Sequence, residues 1–182
     1  MDEAYEAIQT STRMAREANI DQLIYAALRT EAEWAGWRED FAHAHDCLNE
    51  GLRCIAETEV KQDWQSASLL VRRAWLWLRE ENAERAAQDL KAAEPALLPY
   101  ANATRLVRPL LDLEHWWWAT AWLRLNQEDE DRTRAAAQEA LRLSRLTGSY
   151  LTDALENFAL IHENLGDSEA AETARQEASA IK

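Results

Sequence analysis

Apolar residues in this chain return every three or four positions, and the return is broken at short polar intervals. The clearest stretch is the last. Leu155, Phe158, Ala159 and His162 follow the i, i+3, i+4, i+7 spacing of one helical face. Gly166-Asp167 interrupts it, and Ala171 and Ala178 then lie seven apart on one face of a second helix. Leu70, Ala74 and Trp77, followed by Ala86, Leu90 and Ala93, repeat the arrangement upstream across a polar break at Glu81-Asn82. Pro95 and Pro99 are expected to end that element, because proline interrupts a helix interior.

Two more helix pairs fill the remaining length. Trp118, Ala119, Trp122 and Leu125 line one helix, and Ala136, Ala140 and Leu143 line its successor. The polar run Asn126 to Asp131 reads as a long turn between them, and Gly148 as a C-terminal stop. Nearer the start, Ala44, Leu48 and Gly51 mark a second helix after a turn near Gly36 to Asp40. Ala4, Tyr5, Ile8 and Ala15 mark one further amphipathic helix before it. The prediction is a single all-α domain over 1–182: an N-terminal helix at 2–18, then hairpins at about 20–57, 62–98, 108–147 and 149–182. A hairpin cannot bury its apolar face alone, so the four are expected to stack as an α-solenoid.

The small-large-small pattern on the second helices, with Leu and aromatic residues on the first, resembles the tetratricopeptide repeat. Arg73 and Arg175 depart from it, standing where that family places Leu and Phe. Alanines 44, 86, 136 and 171 are 42, 50 and 35 apart, against a repeat of about 34. The stretch Ala140-Leu-Arg-Leu-Ser-Arg-Leu-Thr-Gly148, with Leu151-x-x-Ala-Leu155 after it, is similar to degenerate repeats in sensor domains of LuxR-type bacterial transcription activators.

Composition agrees with an all-helical reading. The 182 residues hold only 4 Gly and 3 Pro, so there is little punctuation for β-turns. The net charge of −13 argues against binding nucleic acid or anionic membranes, which rests on clustered Lys and Arg. Met1-Asp-Glu-Ala-Tyr-Glu6 has neither the basic nor the apolar region of a secretory signal, and a cytoplasmic location is expected. Cys47 and Cys54 are seven apart, roughly 10 Å along one helix and beyond disulfide reach.

Candidate chemistry is sparse. His43 and Cys47, four apart, share a helical face and make a start toward zinc. A structural site needs four ligands and a catalytic one three plus water. No second Cys/His pair occurs, and His115 and His162 stand alone. The histidines are therefore expected in packing or at the surface, with no metal and no cofactor. No phosphate-binding glycine loop or nucleophile elbow is present, so an enzyme is not expected.

Nine tryptophans are the remaining signal. Trp77, Trp118 and Trp122 fall on predicted inner faces. Trp75 and Trp116 point elsewhere on their helices, and three consecutive tryptophans, 116–118, cannot all face one neighbour. The repeat resemblance implies that the first helices line a concave groove. Its positions would be Arg29, Glu33 and Trp37; Val71, Arg72, Trp75 and Arg79; Leu113, Trp116, Thr120 and Arg124; and Glu156 and Leu160. Trp and Arg are the residue types enriched at binding hot spots. Arg29, Trp37, Arg72, Trp75, Arg79, Trp116 and Arg124 are thus the expected partner contacts. The expected function is a protein–protein interaction scaffold that grips a peptide or helix bearing a carboxylate and apolar anchors. A regulatory domain with a Trp-lined ligand pocket is one alternative. A self-associating structural module, a homodimer through the tryptophans, is another.

Overall fold

The structure is a computed structural model, and it describes residues 2–57, 63–103, 108–148 and 150–181. Gln62, Ser149 and Lys182, where three expected hairpin limits fall, lie outside the described residues. Among the described residues the fold is all-α. The helices are α1 (Asp2–Ala18), α2 (Asp21–Trp37), α3 (Phe41–Glu57), α4 (Asp63–Arg79) and α5 (Ala83–Leu97). Then come α6 (Arg108–Asn126), α7 (Glu130–Thr147), α8 (Leu151–Asn164) and α9 (Ser168–Ala180). They pair as α2/α3, α4/α5, α6/α7 and α8/α9, with α1 packed on α2.

One turn design makes all four hairpins. Each pair is joined by three residues: 38–40, 80–82, 127–129 and 165–167. The middle residue is left-handed every time, with φ of 64° at Glu39, 58° at Glu81, 58° at Glu128 and 73° at Gly166. Its N–H returns to the carbonyl three residues back, and the next N–H returns five back (Asp40 to Ala35, Asn82 to Trp77, Asp129 to Arg124, Asp167 to His162). That pair of bonds is the Schellman closure of a helix C-terminus. The third turn residue also starts the next helix. The side chains of Asp40, Asn82, Asp129 and Asp167 accept the N–H of His43, Arg85, Arg132 and Ala170, at 3.2, 3.2, 3.3 and 3.2 Å. A carboxylate or amide there offsets an orphan donor of the helix start.

Four expectations about these elements are corrected. The 126–131 segment is no longer than the other turns, because Glu130 and Asp131 already belong to the first turn of α7, where the helix dipole favours them. Counting five residues on from the left-handed position gives Ala44, Ala86, Thr133 and Ala171, so Thr133, fully buried, takes the place assigned to Ala136. Ala136 is buried as well, on a neighbouring row of the same helix. Pro95 does not end its helix. It sits in the last turn of α5, which runs to Leu97 before a 3-10 turn at Leu98–Tyr100 that contains Pro99. Gly148 does stop α7, with φ of 67°. In α1, Ala4 is exposed, and the buried row is completed by Thr12 and Ala15.

The core runs the length of the stack in three joined clusters. Leu69 and Leu76 of α4 belong to the first, with α2 and α3, while Val71 and Ala74 belong to the second. Leu113, Trp116 and Ala119 of α6 belong to the second, while Trp118 and Ala121 belong to the third, with α7 to α9. Helices α4 and α6 therefore bury two faces each, which is why their apolar residues run nearly all round. Glycine permits the closest approach. A Cβ on Gly51 would stand 2.8 Å from Leu69 Cδ1, and one on Gly36 would stand 2.9 Å from Leu76 Cδ2.

Candidate interaction site on the first-helix layer

The first helices of the hairpins touch one another in series, α2 on α4, α4 on α6 and α6 on α8. Among the described residues the backbones of the second helices α3, α5, α7 and α9 stay apart, and α7 reaches α9 through the Arg145–Glu177 pair at 2.6 Å. Elements that meet along one side of a stack and spread along the other make it curve, so α2, α4, α6 and α8 form the inner layer.

At the centre of this layer lies a charge cluster. Arg72 Nε donates to Glu33 Oε1 at 2.5 Å, and its Nη1 donates to Asp112 Oδ1 at 3.1 Å. Ser68 Oγ donates to the same Oδ1 at 2.8 Å. Asp112 is wholly buried. Burial pushes its carboxyl above the usual range, opposed in part by Arg72 and Ser68. One turn on, His115 is pushed down to about 3, by burial first and then by the positive charges of Arg72 and Arg108.

This cluster changes the expected groove. Arg72 is spent inside the fold, tying α2, α4 and α6 together, and is not offered to a partner. Trp116 is also withdrawn: it is 7% exposed, and its Nε1 donates to the Leu90 carbonyl at 2.8 Å. Val71 and Leu113 are fully buried. The reason is neighbouring packing: α4 meets α2 and α6, α6 also meets α5, and these neighbours cover faces that a helical wheel leaves open.

The other expected contacts fall into three groups. Arg79 is held by the first hairpin: Nη1 donates to the Gly36 carbonyl at 2.6 Å and the guanidinium lies 4.9 Å over the Phe41 ring. It thereby satisfies an end carbonyl of α2. Arg124 bonds Gln127 of its own turn at 3.0 Å, and Trp75 is half-buried between the second and third core clusters. Trp37 is 82% exposed.

Arg29 is different. Its Nε and Nη1 are buried without a hydrogen-bond partner in the protein. It stands one turn from Tyr25 and one from Glu33, on the face of α2 turned to α4. Asp112 Oδ2, Trp117 Nε1 and Thr120 Oγ1 are buried and unpaired too, as are Glu31 Oε2, His45 Nδ1 and His162 Nε2 outside this group, while Tyr25 Oη faces Ser68. Arg29, Asp112, Trp117 and Thr120 belong to α2 or α6 of the inner layer. Buried polar atoms are nearly always paired, so open donors and acceptors gathered on one layer stand out from the rest of the fold. Thr120 was among the groove positions expected from sequence, though not among the partner contacts, and Trp117 is added by its environment.

Elsewhere, polar departures from the repeat pattern are internal fastenings. Arg73 forms a two-bond pair with Asp89, at 2.8 and 2.6 Å, and donates to Asn49 across the hairpin boundary. Trp77 Nε1 donates to the same Asp89 at 3.2 Å, and its ring is stacked between His45, at 3.7 Å, and the Arg85 guanidinium, at 4.6 Å. His162 stacks on Phe158 and bonds the turn residue Asp167 at 3.1 Å. Arg175 pairs with Glu163 across the last hairpin. Two surface depressions of about 410 and 490 Å³ lie over α7 to α9 and along α5, and neither wall contains a tryptophan. No described helix is long and apolar enough to cross a membrane.

No protein-family model matches the chain, and neither does any curated protein. Among solved structures it is similar to BtubC (BKLC) from P. vanneervenii, at 13% identity over 99% of this chain and 90% of that one, with a TM-score of 0.56. The likeness is one of fold.

Proposed function

We propose that this chain is a non-catalytic, cytoplasmic interaction scaffold of tetratricopeptide-like hairpins. Its inner layer receives an extended or helical segment of another protein. The observation that carries this reading is the open polar set on α2 and α6, with the Arg29 guanidinium at its head. An arginine with two buried N–H groups unpaired within the protein is costly in isolation, and a carboxylate or carbonyl of a bound segment removes that cost. Exposed apolar residues on the first helices, Trp37 and Leu160, supply anchoring area beside it. Arg29, Trp37, Trp75 and Arg124, joined by Trp117 and Thr120, are the contacts of this proposal. Arg79, Arg72 and Trp116 support them from within the fold.

The test is selection of peptides from a random displayed library on the purified protein, followed by affinity measurement with Arg29→Gln and Trp37→Ala. The reading expects enrichment of peptides with an acidic residue or free C-terminal carboxylate beside a large apolar one. It also expects at least about tenfold weaker binding by Arg29→Gln, since a charge-assisted hydrogen bond is worth about 1.5–3 kcal/mol. A library that enriches nothing, or peptides indifferent to Arg29→Gln, overturns it.

A further inference from the structure

The first hairpin carries a second constellation, formed between α2 and α3. His43 and Cys47 lie one turn apart on α3, and the short turn to α2 brings Glu31 against them. His43 Nε2 is 2.8 Å from Glu31 Oε1 and 3.6 Å from Cys47 Sγ, and one donor atom from each of the three lies within 4.8 Å of the others. The Glu31 side chain is 6% exposed, and its other oxygen, Oε2, is buried with no partner. Cys47 is buried, while the His43 side chain is 35% exposed and leaves a way in from solvent.

We propose that Glu31, His43 and Cys47 form a binding site for a zinc-class divalent cation, with a fourth position open to water or an external ligand. Zinc takes carboxylate oxygen at about 2.0–2.2 Å, imidazole nitrogen at about 2.0–2.1 Å and thiolate sulfur at about 2.3 Å. At tetrahedral angles those lengths put sulfur and nitrogen roughly 3.6 Å apart, and oxygen and nitrogen roughly 3.4 Å apart. The first distance is the one present between Cys47 and His43. The second requires Glu31 and His43 to part by about 0.6 Å, with the imidazole ligating through Nε2 as the tautomer that carries its proton on Nδ1. Binding forms the sulfur–metal bond and releases the thiol proton to water. One carboxylate and one thiolate then balance the dication, and the unpaired Glu31 oxygen gains a positive neighbour.

The surroundings favour a cation. Burial first, and then the negative charges of Glu31, Glu50 and Asp46, hold the Cys47 thiol protonated until a cation takes the proton's place, and Asp40 joins Glu31 in acting on nearby Tyr5. Arg16, the cation facing Cys47, is occupied by both oxygens of Glu50, at 2.8 and 2.6 Å. A set containing sulfur and nitrogen selects zinc or cobalt over magnesium, which demands oxygen.

The experiment is titration of the reduced protein with Co²⁺, read by thiolate-to-cobalt charge-transfer absorption, then displacement by Zn²⁺ with Mg²⁺ in parallel. One equivalent of Co²⁺ is expected to give that absorption, Zn²⁺ to abolish it and Mg²⁺ to leave it. Cys47→Ala should lose the absorption while Cys54→Ser keeps it. Glu31→Gln should weaken Zn²⁺ binding by more than about tenfold, since even outer-shell partners are worth about 10–100-fold. Circular dichroism establishes that each variant is folded, and the Glu31→Gln and His43→Asn titrations decide the matter should Cys47→Ala fail to fold. Absence of charge transfer in the unmodified protein, or its persistence in Cys47→Ala, overturns the proposal.

Discussion

Replacing Arg72 with Met is predicted to cost more stability than replacing Arg72 and Asp112 together. Asp112 is fully buried, and its Oδ1 accepts from both Ser68 and Arg72. Met keeps the packing of the arginine stem but leaves that carboxylate with Ser68 alone. Deleting one member of a buried pair costs about 3–5 kcal/mol, whereas apolar replacement of both is close to neutral or stabilising. Glu33 changes this little: its side chain is 40% exposed, and a screened pair is worth about 0–1 kcal/mol. Asp112→Leu removes the acceptor of Ser68 and leaves Arg72 with Glu33, so about 3–5 kcal/mol is expected. The double variant Arg72→Met/Asp112→Leu should fall within about 1–2 kcal/mol of the unmodified protein. Urea denaturation followed by circular dichroism and tryptophan fluorescence measures all four proteins. The two singles must then overshoot the double by at least about 2 kcal/mol. An additive cycle, with Arg72→Met costing under about 1 kcal/mol, refutes the view that this cluster is dry and joins three first helices.

Glu81→Gly should raise stability by about 0.5–1 kcal/mol, because a left-handed non-glycine residue costs about 1–2 kcal/mol and glycine returns part of that as chain entropy. Urea midpoints decide it, and destabilisation contradicts the shared turn design. Gly51→Ala adds a Cβ 2.8 Å from the buried Leu69 and should destabilise by up to about 2 kcal/mol, overpacking of about 1–3 set against a helix gain of about 1. A thermal melt checks the sign. His115, pushed down to about 3, stays neutral in the fold over a range where the unfolded chain binds a proton. Its contribution is therefore fully present above pH about 6.5 and lost as pH falls toward 3, by about 1.4 kcal/mol per unit. Denaturation at pH 7 and pH 5 should show that slope, and His115→Gln should remove its share.

The helices were legible in the sequence because each carries its own apolar row and each hairpin its own stop. The repeated pair at the turns, a left-handed residue followed by Asp or Asn, is equally local. It aligns Thr133 with Ala44, Ala86 and Ala171 where apolar spacing alone selects Ala136. The interior of the first-helix layer was not legible. Arg72 meets a carboxylate 40 positions away, and Trp116 meets a carbonyl 26 positions back, contacts that depend on how closely α4, α5 and α6 approach. A helical wheel shows which side of a helix is apolar, but not which polar side a neighbouring hairpin covers. The same limit concealed Glu31, since a third ligand for His43 and Cys47 comes from another helix across the turn.

The central claim is that the open donors of Arg29 await a partner's carboxylate while those of Arg72 are already taken. The direct measurement is a nitrogen-15 NMR titration of the arginine Nε–H signals with an acidic peptide selected on the protein. The account predicts that the Arg29 Nε–H signal moves in proportion to occupancy and the Arg72 signal stays in place. An unmoved Arg29 signal under saturating peptide, or a displaced Arg72 signal in its stead, contradicts it.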